Sequence, residues 1–218
     1  MGRKPAGKGR KAVASKAPQE RKDPSHRRQE ILDAALDLFA DRGFQGTSVR
    51  DIARAVGVNE ATLYHYFPSK AAILDAILDV LLEERSELFT VADDPRVPLH
   101  DVLFELTTRS LARLHAAREQ KVVRVLMIEG PRLAVLGRYP FLRLMHESGE
   151  RVNQVFEKLI ATGRMRRTDP RLIALQFLAP IFIYGFHQHG LGGRTKEPIN
   201  EAAFARAHVE LFTCALAP

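Results

Sequence analysis

The sequence predicts an all-α protein, on three observations. Apolar residues recur at spacings of three and four along most of the chain, and no stretch alternates convincingly with a period of two. Glycine and proline interrupt these periodic segments at lengths typical of helices. The 218 residues are 45% hydrophobic, which allows a well-filled core in one domain or in a small domain joined to a larger one.

The first segment, residues 1–24, consists mainly of Gly, Pro, Lys, Arg and Ala and has almost nothing to bury. This composition is typical of disorder, so we expect a disordered basic tail. The chain carries a formal net charge of +7, and residues 1–25 contain eight Lys and Arg side chains against two acidic ones. Nearly all of the excess positive charge therefore belongs to the tail.

Three helices are expected after the tail. The first covers residues 26–42 and ends at Gly43. Ser48 and Asp51 form a capping-box pattern that predicts the start of the second helix, and Gly57 ends it because glycine adopts the left-handed conformation without a steric penalty. Asn59 can cap the third helix. The apolar stripes of the three helices are formed by Ile31, Ala34, Ala35, Leu38 and Phe39, by Val49, Ile52, Ala53 and Val56, and by Leu63 with Phe67.

Residues 48–67 therefore have the form of a helix-turn-helix. The second helix of such a unit lies in the major groove of DNA and presents residues near its N-terminal end to the base edges. Here that helix carries more polar and aromatic surface than packing requires, namely Glu60, Thr62, Tyr64, His65 and Tyr66. This pattern predicts a sequence-specific DNA-binding protein.

The run from Ile31 to Lys70 resembles the DNA-binding domain of the TetR (tetracycline-repressor-like) family. The matching residues are ILDAALDLFADRGFQGTSVRDIARAVGV followed by TLYHYFPSK, about a fifth of the chain in unbroken order. The resemblance implies a helix-turn-helix DNA-binding domain over residues 25–85. A fourth helix would join it to a larger helical effector-binding and dimerisation domain over residues 86–218.

Two sets of DNA contacts are expected, because phosphate contacts position a protein and base contacts select the sequence. Residues at the starts of helices favour anions, and one tyrosine matches the family tyrosine that meets the DNA backbone. The expected phosphate contacts are Thr47, Ser48, Arg50, Tyr66 and Lys70. The expected base contacts are Asn59, Glu60, Ala61, Thr62, Tyr64 and His65. For Glu60 two interpretations remain open: it accepts from a cytosine amino group, or it forms an ion pair with Arg54 or Lys70.

The charge of this region sets a condition on its folding. Residues 26–70 hold six basic and six acidic side chains, so the DNA-binding part has no net positive charge. Folding has to concentrate the basic side chains on one face if that face is to approach DNA.

The pattern of apolar residues predicts a series of further helices in the rest of the chain. A fourth helix opens at Pro68 and Ser69 and is long enough to reach Phe89. Later helices are expected at residues 99–114, at 122–127 with an end at Gly130 and Pro131, at 141–159, at 172–186 after Asp169 and Pro170, and at 201–216. A glycine-rich loop with Gly190, Gly192 and Gly193 separates the last two.

The resemblance places the last two long helices at a homodimer interface, and a twofold dimer implies a palindromic operator in double-stranded DNA. The alternative for these apolar helices is the core of a monomer. The expected interface residues are Leu172, Leu175, Phe182, Phe204, His208, Leu211 and Phe212.

The resemblance also implies a cavity in the larger helical domain. A ligand bound in this cavity would change the spacing of the DNA-binding domains. Candidate lining residues are Phe104, Thr107, Thr108, Leu111, Met127, Phe141, Met145, Phe177 and Tyr184. Most are apolar, so a small apolar effector is expected and no cofactor. The alternative is that these residues are ordinary core.

Other functional classes find less support. We find no nucleophile elbow, phosphate-binding glycine loop, His-Glu-x-x-His pair or paired cysteines, so no enzyme is predicted. His187 and His189, with His146 and His208 elsewhere, suggest a metal-responsive regulator as an alternative, although no metal site is predicted. The tail is either an arm that follows DNA phosphates or a solubilising extension, and a non-specific, architectural DNA-binding protein driven by the tail is a further alternative. The single cysteine, Cys214, and the lack of a membrane-spanning run favour a cytoplasmic protein.

Overall fold

The computed structural model describes residues 23–84 and 92–218, and the regular structure in these ranges is all helical, as predicted. The helices are α1 (Pro24–Arg42), α2 (Val49–Val56), α3 (Glu60–Tyr66), α4 (Lys70–Glu84), α5 (Leu99–Leu114), α6 (Ala117–Val135), α7 (Pro140–Ala161), α8 (Pro170–Gly185), α9 (Gly193–Lys196) and α10 (Glu201–Leu216), with a π-helix at Phe186–Gly190. We call α1–α3 the head and α5–α10 the body; α4 connects them.

Local capping interactions define the helices of the head. The side chain of Ser48 accepts a hydrogen bond from the Asp51 N–H, and the Asp51 carboxylate accepts from the Ser48 N–H, which completes the predicted capping box. Gly57 then ends α2 in the left-handed conformation, with φ of 73°. Asn59 caps α3 by accepting from the N–H of Thr62. These features were all predictable because each depends on residues no more than four apart.

Two hydrophobic cores hold the molecule together. The first is formed by α1–α4 and extends into the body through Val122, Val125 and Leu126 of α6. The second lies between α5, α7, α8 and α10, and its largest fully buried side chains include Phe156 and Phe177. Because α6 and part of α7 belong to the same core as the head, a shift of α6 moves the surface on which the head rests.

The structure corrects the predicted end of α6. We predicted a short helix that ends at Gly130 and Pro131, but α6 continues through both to Val135. Pro131 has no N–H to donate, which normally interrupts a helix. Burial of Glu129 and Leu133, on either side of the proline, keeps the two halves together through tertiary contacts.

Several other boundaries differ from the predictions. The predicted disordered tail lies outside the described residues up to position 22, whereas Asp23 caps α1 and Pro24 is its first residue. The predicted extension of α4 to Phe89 also lies outside them, since the described part of α4 ends at Glu84. The expected glycine-rich loop contains the π-helix and α9. None of the helices in the two described ranges combines the length and the apolar character needed to cross a bilayer.

Candidate nucleic-acid interface

The helix predicted to read DNA, α3, is anchored on one side and open on the other. Leu63 is fully buried and Phe67, just beyond its end, is 3% exposed, and both belong to the first core. The opposite surface presents polar and aromatic side chains to solvent. The exposed members are Asn59, Glu60, Ala61, Tyr64 and His65, with Thr62 and Tyr66 half-buried. This is the surface required for contact with base edges.

Asn59 and Thr62 form a small hydrogen-bonded unit at the start of α3. The Asn59 Oδ1 accepts from the Thr62 N–H at 2.7 Å and from the Thr62 hydroxyl at 2.8 Å. The carbonyl oxygen of Asn59 is therefore used as a cap, and its amide nitrogen is left for a base. The Thr62 hydroxyl is likewise engaged, so its methyl group is the part available to a thymine methyl.

The structure bears on the ion-pair interpretation of Glu60. Among the described residues Glu60 makes no ion pair, because Arg54 lies 3.6 Å from Asp51 instead and Lys70 is turned into the head. Its carboxylate is exposed at the first position of α3. It therefore remains available as an acceptor for a cytosine amino group.

The start of α2 offers a second contact surface. Ser48 and Arg50 are exposed there, next to backbone N–H groups that have no partner within the helix. Hydrogen bonds from the Ser48 side chain and N–H lower the pKa of Asp51, so this carboxylate stays ionised as part of the cap. Tyr66 stands edge-on to His65 with ring centroids 5.8 Å apart, near the far end of α3.

Two of the predicted phosphate contacts, Thr47 and Lys70, have side chains that are engaged within the protein. Thr47 is 1% exposed, and its hydroxyl donates to the backbone oxygens of Leu38 and Gly43. The Lys70 ammonium donates to the Phe44 oxygen at 2.5 Å and to the Thr47 oxygen at 2.7 Å. Both side chains hold the loop between α1 and α2 rather than extend towards a ligand. The sequence could not show this because most of these partners lie 9 to 26 residues away.

Ion pairs between the body and the helices α1 and α4 engage part of the acidic charge near the head. Four aspartates of α1 and α4 are paired with basic side chains of the body, and all eight side chains are partly exposed. The pairs are Asp33 with Arg118, Asp37 with Lys121, Asp75 with Arg138 and Asp79 with Arg143. Two of the six acidic side chains of residues 26–70, Asp33 and Asp37, are thus paired with the body, while Arg42, Arg50 and Arg54 remain exposed.

Comparison with known proteins assigns residues 31–77 to the bacterial regulatory proteins of the tetR family. Residues 101–218, more than half of the chain, match the C-terminal domain of AefR-like transcriptional repressors. The chain belongs to the TetR family. It is therefore a helix-turn-helix DNA-binding regulator of transcription, of a family of repressors rather than enzymes.

Individual relatives agree with this assignment. The HTH-type transcriptional repressor KstR2 of Rhodococcus jostii is 34% identical over 159 residues, which cover 71% of this chain and 75% of the relative. A TetR family transcriptional regulator from Pseudomonas syringae has a TM-score of 0.69 at 22% identity, covering 89% of this chain and 98% of that one. Salmonella enterica GusR has a TM-score of 0.70 at 24% identity, and the match covers 91% of this chain and 99% of that one. The two solved structures support the fold.

The residues predicted to line an effector cavity in this TetR-family body are mostly placed elsewhere. A cavity of about 110 Å³ lies between α5, α6, α7 and α8, and of the nine predicted residues only Met145 lines it. Leu111, Phe177 and Tyr184 are buried in the second core, and Thr107 is buried with its hydroxyl bonded to the Leu103 oxygen. The others are Phe104, which is 39% exposed, Thr108, whose hydroxyl bonds to the Phe104 oxygen, and Met127 and Phe141, which are half-buried.

The predicted interface residues divide into two groups. Leu172, Leu175 and Leu211 are 59%, 57% and 70% exposed in the single chain, as an apolar contact surface requires. Phe182, Phe204 and Phe212 are half-buried. His208 is 5% exposed in the single chain and packs against Phe177 and Phe212 inside its own core.

The histidines that suggested a metal are not brought together. His187 lies 3.4 Å from Glu197, His189 faces the Gln120 amide at 3.3 Å, and His146 is exposed on α7. In the part of the chain that the structure describes, no group of three or more His, Cys, Asp or Glu side chains is arranged to hold a metal ion.

Two substitutions separate the phosphate and base contacts of this TetR-family head. Arg50→Ala is expected to weaken binding to all DNA sequences by a similar factor and to lower the salt slope by about one, because a phosphate contact releases counterions without reading a base. Thr62→Ser keeps the hydroxyl bond to Asn59 and removes only the methyl group, so it is expected to change the preference at one base pair by about 1–3 kcal/mol.

The measurement is fluorescence anisotropy with a set of duplexes at several salt concentrations. Arg167→Ala, an exposed arginine in the loop between α7 and α8, is the control for the loss of one positive charge. If Arg50→Ala and Thr62→Ser changed every duplex equally, the division into phosphate and base contacts would be incorrect.

Proposed function

We propose that this protein is a homodimeric repressor that binds a palindromic operator and is released from it by a small-molecule effector. The observation that carries the proposal is an exposed apolar face on α8 and α10. Leu172, Leu175 and Ile183 of α8 and Leu211 of α10 are each more than half exposed. Exposed apolar residues grouped on neighbouring helices are typical of an interaction surface.

Aromatic contacts link the two helices, and we take the exposed residues to form one surface. The rings of Phe177 and Phe212 are 5.1 Å apart, and those of Tyr184 and Phe204 are stacked at 4.6 Å. A second copy that covers this face would form an isologous interface with twofold symmetry. Twofold symmetry would present two copies of α3 to two half-sites related in the same way.

Release by an effector requires that the body and the head move together. Glu129 of α6 is 3% exposed, and its Oε1 accepts from the Phe44 N–H of the head at 3.3 Å. Lys70 completes the link, because its ammonium donates to the Phe44 oxygen and lies 4.4 Å from the Phe44 ring centroid. Burial lowers the pKa of Lys70, and the charge of Glu129 partly offsets this effect.

The approach of Glu129 depends on a glycine. Gly43 has φ of 75°, and a Cβ built at this position would lie 2.9 Å from the Glu129 Oε1. The carboxylate of α6 therefore sits directly against the end of α1. A ligand that shifts α6 would displace this contact and, with it, the loop that leads into α2.

Substitutions at Glu129 test this link. Glu129→Leu is expected to lower the free energy of unfolding by about 1–3 kcal/mol, because it leaves the Phe44 N–H buried without an acceptor. Glu129→Gln keeps an acceptor oxygen and is expected to lose clearly less. Chemical denaturation of both variants at equal protein concentration measures the difference. Equal losses in the two variants would mean that the hydrogen bond does not support the contact between body and head.

The proposed function is tested by selecting bound duplexes from a random pool at physiological salt and sequencing them. A palindrome with half-sites about one helical turn apart is the expected result. The same selection with residues 1–22 deleted is the control, since the described structure begins at Asp23, the cap of α1. Binding without a preferred sequence that is lost on deletion would instead indicate an architectural protein driven by its basic tail.

A further inference from the structure

The cavity of the body contains two arginines in an otherwise largely apolar wall. Its aliphatic and aromatic lining includes Leu114, Val123 and Leu144, and its charged residues are Arg113 of α5, Arg151 of α7 and Glu119 of α6. Glu119 is 4% exposed and already has an interaction partner. The wall thus has an excess of one positive charge in a place where an apolar ligand would need none.

Hydrogen bonding within the protein leaves a donor of the Arg151 guanidinium group unused. Arg113 donates through Nη2 to the Glu84 backbone oxygen at 2.7 Å, the last described residue of α4. The Nη1 of Arg151 is buried and has no hydrogen-bond partner. Burial and the nearby charge of Arg151 both lower the pKa of Arg113. A protein rarely buries a guanidinium donor without an acceptor, so a missing partner is indicated.

We propose that this cavity binds the anionic group of a small amphipathic ligand between Arg113 and Arg151, with the apolar part of the ligand against the aliphatic wall. A carboxylate would accept hydrogen bonds from both guanidinium groups and would reduce their mutual repulsion. The inference rests on the proposed function in taking this ligand as the effector. It replaces the purely apolar effector expected from the sequence.

The size of the cavity and the position of Arg151 specify the ligand further. About 110 Å³ is below the usual range of ligand pockets, and it is enough for a carboxylate and a few carbon atoms. Arg151 also lines a groove on the outer face of α7, together with His146, Glu150 and Gln154. A longer ligand with a polar extension would therefore keep its anionic group inside and place the extension along this polar groove.

The same site has a direct connection to the DNA-binding part. Arg113 holds the C-terminal end of the described α4 through the Glu84 oxygen, and Lys70 at the start of α4 donates to the Phe44 and Thr47 oxygens of the head. An anion drawn between Arg113 and Arg151 would shift the Arg113 guanidinium group, which also donates to the Glu84 oxygen. Binding would thus loosen the contact between α5 and α4, the helix that connects the body to the head.

The binding experiment uses straight-chain carboxylates of four to ten carbon atoms and the alcohols of the same lengths. Isothermal titration calorimetry on the full chain is expected to show carboxylate binding at least 10-fold tighter than alcohol binding. Arg151→Met and Arg113→Met are expected to remove this preference, and Arg167→Met, at an exposed arginine, is expected to retain it.

A second measurement does not depend on the choice of ligand. Without ligand, Arg151→Met removes one of two repelling charges and a buried donor that has no acceptor, and it nearly keeps the side-chain volume. Its thermal midpoint is therefore expected to rise by about 2–4 °C at equal protein concentration. An arginine that the fold itself needs would give a fall instead.

Two results would overturn the proposal: carboxylates that bind no better than alcohols, and a thermal midpoint that falls in Arg151→Met but not in Arg167→Met. Since neither measurement contains DNA, both are independent of the operator selection. A carboxylate that binds through the two arginines and leaves operator affinity unchanged would contradict only its role as effector.

Discussion

Leu175→Asp is expected to produce a monomer that binds the operator about 100- to 10,000-fold more weakly than the dimer. The magnitude follows from linkage, because the second head of a dimer binds its half-site as an intramolecular event. Leu175 is 57% exposed in the single chain, so an aspartate there remains hydrated in the monomer and folding is retained. In a dimer the same carboxylate would be buried against apolar side chains, which is strongly unfavourable.

Sedimentation equilibrium and anisotropy on one operator measure the two effects in the same samples. Ile128→Asp is the matched control, since Ile128 is also 57% exposed but lies on α6, outside the α8–α10 face. A Leu175→Asp protein that stays dimeric would exclude this face as the interface. A monomer with unchanged operator affinity would show that dimerisation does not contribute to binding.

Acid is expected to destabilise the protein through His208. Burial among Phe177, Phe204 and Phe212 lowers the pKa of His208 to about 4, from an ordinary value of about 6.5. Between these values the unfolded chain binds a proton at this histidine and the folded chain does not. Stability therefore falls as the pH is lowered from about 6.5 towards 4, by a total on the order of 3 kcal/mol, and this residue has no effect above that window.

His208→Phe is expected to remove this part of the pH dependence, because the ring that replaces the imidazole has no proton to gain. Urea denaturation at pH 7, 6, 5 and 4.5 provides the measurement. His146→Gln, at an exposed histidine of α7, serves as the control. If His208→Phe lost stability with acid as steeply as the unsubstituted protein, other groups would have to be responsible for the effect.

The DNA-binding half shows how far local reasoning extends. The capping box of Ser48 and Asp51, the left-handed Gly57 and the Asn59 cap were all predicted and are all present. The exposed surface of α3 was also predictable, because Leu63 and Phe67 determine which side of this short helix is buried. The resemblance to the TetR family identified the same segment.

The body shows where such reasoning ends. An effector site built from Phe and Met was expected, whereas the cavity has Arg113 and Arg151 in its wall. Both arginines lie in amphipathic segments where a charged residue is normally solvated, so their sequence has no signal for burial. For Glu129 the sequence contains a weak signal for burial, because this acidic residue follows the apolar run that begins at Val122.

The sequence by itself determined the helices of the head and their caps, because these depend on residues within one or two helical turns of each other, and its motif from Ile31 to Lys70 identified the family. Only the tertiary structure decided that Thr47 and Lys70 hold a loop, that α6 continues past Pro131, and that His208 is buried. It also decided that α6 supplies Glu129 to the head. Each of these features depends on contacts between residues that are far apart in the chain. Such residues are brought together by the packing of whole helices.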